Sequence, residues 1–144
     1  MDTPPSAAEG EPRGLGLRLA DYVVVVVGDL DESVAFYTER LGLPLAHRSG
    51  PYAQLDTGST RIGLFERAVM ADTIGRSILG PPDPTRAGFE LGFHVDSVDQ
   101  AIAFLRAGGA EIVTEPMDRE WGQRTAYVAD PDGNLIELVE TIAL

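Results

Sequence analysis

The chain has 144 residues, 44% hydrophobic and 24% charged, enough apolar material for one globular domain or two closely joined halves. Its formal net charge is −12, so phosphate backbones and anionic lipid surfaces repel it; neither nucleic acid nor membrane is expected as a partner, whereas a cationic small molecule is attracted. The absence of cysteine excludes disulfides, thiolate metal sites and cysteine nucleophiles, and all 11 basic residues are arginine, which excludes a Schiff-base lysine.

Residues 1–16, MDTPPSAAEGEPRGLG, are rich in Pro, Gly, Ala and Glu and are expected to form a disordered tail. They lack the apolar stretch of a secretory signal. The longest aliphatic run, Val23 to Val27, is far shorter than the roughly 20 residues that span a bilayer, so a cytoplasmic location is expected. Tyr22 to Val27 is dense in β-branched residues without alternation and is expected to be a strand buried on both faces. A helix follows. Asp29 with Glu32 three residues on makes a capping-box pair, Val34, Tyr37 and Leu41 recur at helical spacing beside Phe36, and Gly42 supplies a left-handed stop. Tyr52 to Leu55 and Arg61 to Phe65 form two strands joined by the turn Asp56-Thr-Gly-Ser59.

Residues 68–87 include ILGPPDPTRA, whose clustered prolines exclude regular structure; a linker with one short helix near Val69 to Ile74 is expected. The pattern then restarts. Phe89 to Val95 is a strand, and Ser97 with Gln100 makes a second capping-box pair. Ile102 and Leu105, flanked by Ala101 and Phe104, form a helix face that ends at Gly108 and Gly109. Ala110 to Thr114 is a short strand. Arg124 to Val128 and Leu135 to Glu140 form a hairpin around Asp130-Pro-Asp-Gly133, a turn assigned a structural role. Val27-Gly-Asp-Leu-Asp-Glu-Ser-Val-Ala-Phe36 parallels Val95-Asp-Ser-Val-Asp-Gln-Ala-Ile-Ala-Phe104, so the chain contains a duplicated unit.

The stretches VGDLDESVAFYTERLGL, FHVDSVDQAIAFL and WGQRTAYVADPDGNLIELVE resemble the vicinal oxygen chelate superfamily, which includes glyoxalases, bleomycin-resistance proteins and extradiol dioxygenases. The bleomycin-resistance branch is the nearest in look. The resemblance covers residues 17–142 and implies an α+β fold of two βαβββ modules, residues 17–67 and 88–142, pairing into a curved mixed sheet with helices outside, commonly as a homodimer. In metal-using relatives, one ligand comes from the first and one from the last strand of each module. Those positions here are Tyr22, Gly63, Glu90 and Glu137. Glycine donates nothing, and two carboxylates with a tyrosine do not supply the usual three or four ligands of a tight zinc or iron site. His94 lies four residues beyond Glu90, about 13 Å along an extended strand, too far to share a metal with it. No cofactor is favoured; if a divalent metal binds, Glu90 and Glu137 are its ligands.

Strand parity sets Leu91, Phe93 and Val95 against the helices and turns Glu90, Gly92 and His94 to the other face; Glu137 likewise alternates with Ile136 and Leu138. The same parity places Thr125 and Tyr127 beside Glu137, and the module repeat makes Tyr52 the counterpart of Tyr127. Either acid has a potential partner in an arginine such as Arg124. The expected ligand-binding set is Tyr22, Tyr52, Phe65, Glu90, His94, Trp121, Tyr127 and Glu137, whose aromatic walls and carboxylates suit an aromatic or cationic compound. Two functions remain open. One is drug binding and sequestration of an antibiotic-like molecule, hence antibiotic resistance. The other is a glyoxalase-like lyase or epimerase, with Glu137 as general base or with both acids holding a metal.

Overall fold

The computed structural model describes Gly14 and residues 22–75 and 89–142. The rest of the expected tail, and residues 76–87 of the expected linker, lie outside the described residues. Two sheets of four strands, each backed by a helix, repeat one arrangement. The first contains β1 (Tyr22–Val27), β2 (Leu45–Ser49), β3 (Tyr52–Leu55) and β4 (Arg61–Glu66) in the order β1-β4-β3-β2. The second contains β5 (Glu90–His94), β6 (Glu111–Arg119), β7 (Gln123–Ala129) and β8 (Leu135–Thr141) in the order β5-β8-β7-β6. In each, the first strand runs parallel to the last and the other neighbours are antiparallel, which makes each unit a βαβββ module.

The helices begin where their caps predict. In α1 (Leu30–Ala35) the Glu32 amide donates to Asp29 Oδ1 at 3.0 Å, and in α3 (Val98–Ala107) the Gln100 amide donates to Ser97 Oγ at 3.1 Å. Glu140 of β8 adds a second cap, accepting the Val98 amide at 2.7 Å, so α3 is fastened to its own sheet. After Ala35 the chain widens into a π-helical turn, Phe36–Arg40, closed at Gly42 with φ of 78°. The short helix α2 (Arg67–Ile74) occupies the expected place after β4.

Val25, Val27, Leu55, Ile62 and Leu64 of the first sheet and Ala126, Val128, Ile136 and Leu138 of the second join Phe36, Tyr37, Val98, Ile102 and Leu105 in one core cluster. Leu91 and Phe93 pack against it, as their parity predicts. Four expectations shift. Val24 and Val26 are only half-buried, because Val25 and Val27 on the other face of β1 are the ones that enter the core. Phe104 is 59% exposed, since α3 turns Ile102 and Leu105 inward instead. β2 is a strand that hydrophobic periodicity does not mark, because all five of its residues are exposed at the sheet edge. β6 runs to Arg119 rather than Thr114, passing Pro116 through a register shift on an edge strand, where a missing amide donor is tolerated.

The two modules are joined by a buried polar contact. The Tyr37 hydroxyl donates to Asp130 Oδ2 at 2.7 Å. Asp130 also accepts the amides of Asp132 and Asn134 on Oδ1, at 2.9 and 2.8 Å, and the Asn134 side-chain amide on Oδ2 at 2.9 Å. Its neighbour Asp132 accepts the Gly28 amide at 2.9 Å and the Ser33 hydroxyl at 3.5 Å. A Cβ on Gly28 would stand 3.1 Å from Asp132 Oδ1, so this close approach favours glycine. The Asp130-Pro-Asp-Gly133 turn therefore does more than reverse the chain: it receives the start of α1 and the π-turn of the other module. Burial first, then the Asp130 charge, push the Tyr37 hydroxyl far above its ordinary pKa, so it remains a donor. Tyr37→Phe is expected to cost about 1–3 kcal/mol, the penalty for leaving a buried acceptor short of a donor, read as a lowered midpoint of urea unfolding at unchanged slope.

Candidate functional site

The face of the second sheet opposite its helix carries the acids. Glu137 is central on β8, opposite Tyr127 on β7 and Gly92 on β5. The Tyr127 hydroxyl donates to Glu137 Oε2 at 3.1 Å. The other oxygen, Oε1, lies over Gly92, where an added Cβ would stand 3.3 Å from it. Glu90 sits one pleat before Gly92 on the same face. Partial burial, the Glu137 charge beside it and a hydrogen bond with Glu137 hold the Glu90 carboxyl above the ordinary carboxylate range. Burial and the hydrogen bond to Glu137 raise the Tyr127 hydroxyl, with both acid charges adding and Arg119 opposing. The result is a pair of neighbouring carboxyls that favours one shared proton or an incoming cation.

His94 is exposed on this face, at the far end of β5. Trp121, 63% exposed, caps the turn between β6 and β7 and donates its indole N–H to Gln123 Oε1 at 3.0 Å. Arg124 does not meet either acid. It lies on the helix side of β7 and binds Asp99 at 2.9 Å and Asp118 at 2.8 Å, which corrects its expected partnership with Glu90 or Glu137. The parity that turns Thr125 and Tyr127 toward Glu137 turns Arg124 away.

The corresponding face of the first sheet is closed over. Gly63 is paired with Gln54 and Val24, and the Tyr52 ring lies across it: a Cβ at Gly63 would stand 2.6 Å from Tyr52 Cε1 and 2.8 Å from its hydroxyl oxygen. Tyr52 donates to Gln54 Oε1 at 3.0 Å and leans on Phe65, ring centroids 6.2 Å apart. Tyr22 is 55% exposed with the Arg61 guanidinium 5.6 Å from its ring centroid. The register also corrects the correspondence between modules. Gln54, opposite Gly63, is the counterpart of Tyr127, opposite Glu137; Tyr52, opposite Phe65, matches Thr125, opposite Val139.

The sequence-derived residues thus fall into two groups, Tyr22, Tyr52 and Phe65 on one sheet and Glu90, His94, Trp121, Tyr127 and Glu137 on the other. Among the described residues, no hydrogen bond or ring contact joins Tyr52 or Phe65 to Tyr127, Glu137 or Trp121. Nor is there, among the described residues, a group of three or more His, Asp or Glu side chains placed to hold a metal ion. The four family ligand positions do not fit a metal: Gly63 offers no donor, and the space a donor there would enter is filled by the Tyr52 ring. Sequence reasoning missed Arg119, at the end of the lengthened β6, and Gln123, at the start of β7, which pair on the acid-bearing face. Arg119 pairs across with Gln123 and donates Nε–H to Thr125 Oγ1 at 2.9 Å.

Two βαβββ modules with mixed four-stranded sheets define the paired-module fold expected from the resemblance. The family profile of the Glyoxalase/Bleomycin resistance protein/Dioxygenase superfamily matches residues 19–138, and the chain belongs to that superfamily. It is 36% identical over 121 residues to the uncharacterised protein YraH of Bacillus subtilis, covering 82% of this chain and 94% of YraH. It is 30% identical over 122 residues to the bleomycin resistance protein of Geobacillus stearothermophilus, covering 81% and 92%. Among solved structures, TnmS3, an antibiotic binding protein from Streptomyces sp. CB03234, superposes with a TM-score of 0.66 at 25% identity, covering 87% of this chain and 97% of that one.

Gly63→Ala is expected to fold, since a flexible ring can yield, but to swing Tyr52 off the sheet; lost Tyr52–Phe65 ring-current shifts in NMR spectra would report it, and unchanged shifts would count against the packing described. Glu90 is protonated more readily in the folded chain than in the unfolded one. Folding stability therefore falls as pH rises from the ordinary carboxylate range through the raised Glu90 value. Glu90→Gln should remove that slope, so that the variant gains on the wild type at pH 7 and the gap narrows toward pH 4, measured by urea unfolding at both.

Proposed function

We propose that this protein captures a small aromatic, cationic, antibiotic-like molecule and sequesters it without turnover. The observation that carries the reading is the unequal state of the two modules. Tyr52 over Gly63 makes an aromatic surface of one family ligand position, while Glu90 and Glu137 persist on the other sheet as a carboxyl pair. A carboxyl pair with a tyrosine beside it and an exposed tryptophan nearby attracts a flat cation by charge and by ring contact. The names of the Geobacillus and Streptomyces relatives, given for bleomycin resistance and antibiotic binding, point the same way. We take the working form to be a cytoplasmic homodimer, conferring resistance by holding the drug away from its target.

A second reading, a glyoxalase-like lyase or epimerase, draws on the same pair. A carboxyl whose hold on its proton is strengthened by burial and by a second carboxyl beside it is a candidate general acid or base for one substrate. Calorimetric titration with bleomycin separates the two. Capture predicts saturable binding, recovery of unaltered drug by mass spectrometry, and affinity lowered about tenfold or more in Glu137→Gln, the loss of one charge-assisted contact. Chemical conversion of a ligand that ceases in Glu137→Gln would replace capture with catalysis.

A further inference from the structure

The acid-bearing face of the second sheet also holds a cation. Arg119 closes β6 and lies half-buried across the face. Its Nε–H donates to the hydroxyl of Thr125, itself fully buried, and Nη1 stands 3.1 Å from Met117 Sδ. Among the described residues no carboxylate pairs with it. The other two arginines of this module are both paired: Arg106 with Glu115 at 2.5 Å, and Arg124 with Asp99 and Asp118. In a chain with 23 acidic residues against 11 arginines, an arginine left to one hydroxyl and a thioether is set apart from acids that were easily supplied. A guanidinium has five N–H donors in a fixed fork, and a thioether is a weak acceptor, so most of its donor capacity is left for a ligand.

Thr125 and Tyr127 are successive residues on this face of β7, and Tyr127 is opposite Glu137. Strand geometry puts the Thr125-bound guanidinium and the Glu137 carboxylate roughly 7–10 Å apart, from about 3.4 Å of rise per residue and about 4.8 Å between strands. Tyr127, level with Glu137, is on the strand between β8 and β6, and Trp121, held by Gln123, stands at the arginine end.

We infer that this face recognises a dipolar ligand, with a cationic group for Glu90 and Glu137 and a carboxylate or similar anionic oxygen for Arg119, joined by a flat spacer that lies along Tyr127. The inference rests on the capture reading and narrows its ligand class from a cation to a zwitterion. It assigns Arg119 as a specificity-determining residue.

The test compares two probes by protein NMR titration. 4-(Aminomethyl)phenylacetate carries an ammonium and a carboxylate across one ring; 4-methylbenzylamine lacks the carboxylate. The wild type should bind the zwitterion about tenfold tighter than the amine, the size of one charge-assisted pair. Arg119→Gln should abolish that preference while leaving the amine affinity within about twofold, Arg119→Lys should restore part of it, and Glu137→Gln should weaken both probes. Equal affinity of the wild type for the two probes overturns the dipolar site and leaves capture of cations standing. Parallel weakening of both probes in Arg119→Gln also overturns it, because a merely structural arginine would act that way. Binding of neither probe at millimolar concentration overturns the dipolar site and capture at this face together.

Discussion

The Tyr37 hydroxyl on Asp130 is the contact from which the rest of the molecule takes its alignment. A carboxylate that is only 5% exposed is costly unless its lone pairs find donors. Asp130 has four: the Tyr37 hydroxyl, two amides of its own turn and the Asn134 side chain. Three of these shape the turn between β7 and β8, and the fourth comes from the other module. The same carboxylate therefore sets the hairpin and docks the π-turn of the first module on it. Because β7 and β8 start from that turn, the register that puts Tyr127 opposite Glu137 is fixed from one end by a buried bond, eight residues or fewer away.

That arrangement gives two copies of one scaffold the freedom to diverge on their open faces. Each helix-facing surface is committed to the shared core through Val25, Val27 and Leu64 in one module and Ile136, Leu138 and Val128 in the other. The opposite faces carry no such obligation. In the first, Tyr52 lies over Gly63 and against Phe65, and the small residue beneath is what lets the ring lie down. In the second, Gly92 serves Glu137 in a similar way, leaving room for its carboxylate oxygen. Glycine faces a ring in one sheet and an acid in the other, and the chemistry of each face follows from what the glycine admits.

Much of this was legible in the residues. The duplicated capping pairs, Asp29 with Glu32 and Ser97 with Gln100, fixed both helix starts, and alternation through Glu90-Leu-Gly-Phe-His94 separated core from open face. The turn Asp130-Pro-Asp-Gly133 was recognisable by composition, but its bond to Tyr37 spans 93 residues and leaves no local trace. β2 escaped notice because an edge strand with every residue exposed has no apolar periodicity. The correspondence of Tyr52 with Tyr127 slipped by two residues, a shift that parity cannot detect since both positions share a face; only the pairing of Gln54 with Gly63 fixes it. Arg119 was invisible for a related reason, because a strand expected to end at Thr114 assigns no face to residues beyond it.

The charge of the chain and the charge of its face have different roles. A net charge of −12 raises the local concentration of any cation, but that field is screened beyond about 8–10 Å at ordinary ionic strength and does not distinguish one cation from another. Selection must come from groups a ligand touches. A carboxyl pair alone would accept any amine that fits, including those abundant in a cell. In the dipolar site proposed above, Arg119, which among the described residues pairs with no carboxylate, changes that by rewarding a cation whose opposite end carries an anion. Under the proposed capture, the acidic surface serves encounter, the Glu90–Glu137 pair retention and Arg119 discrimination, on a sheet bonded to the other module through Tyr37 and Asp130.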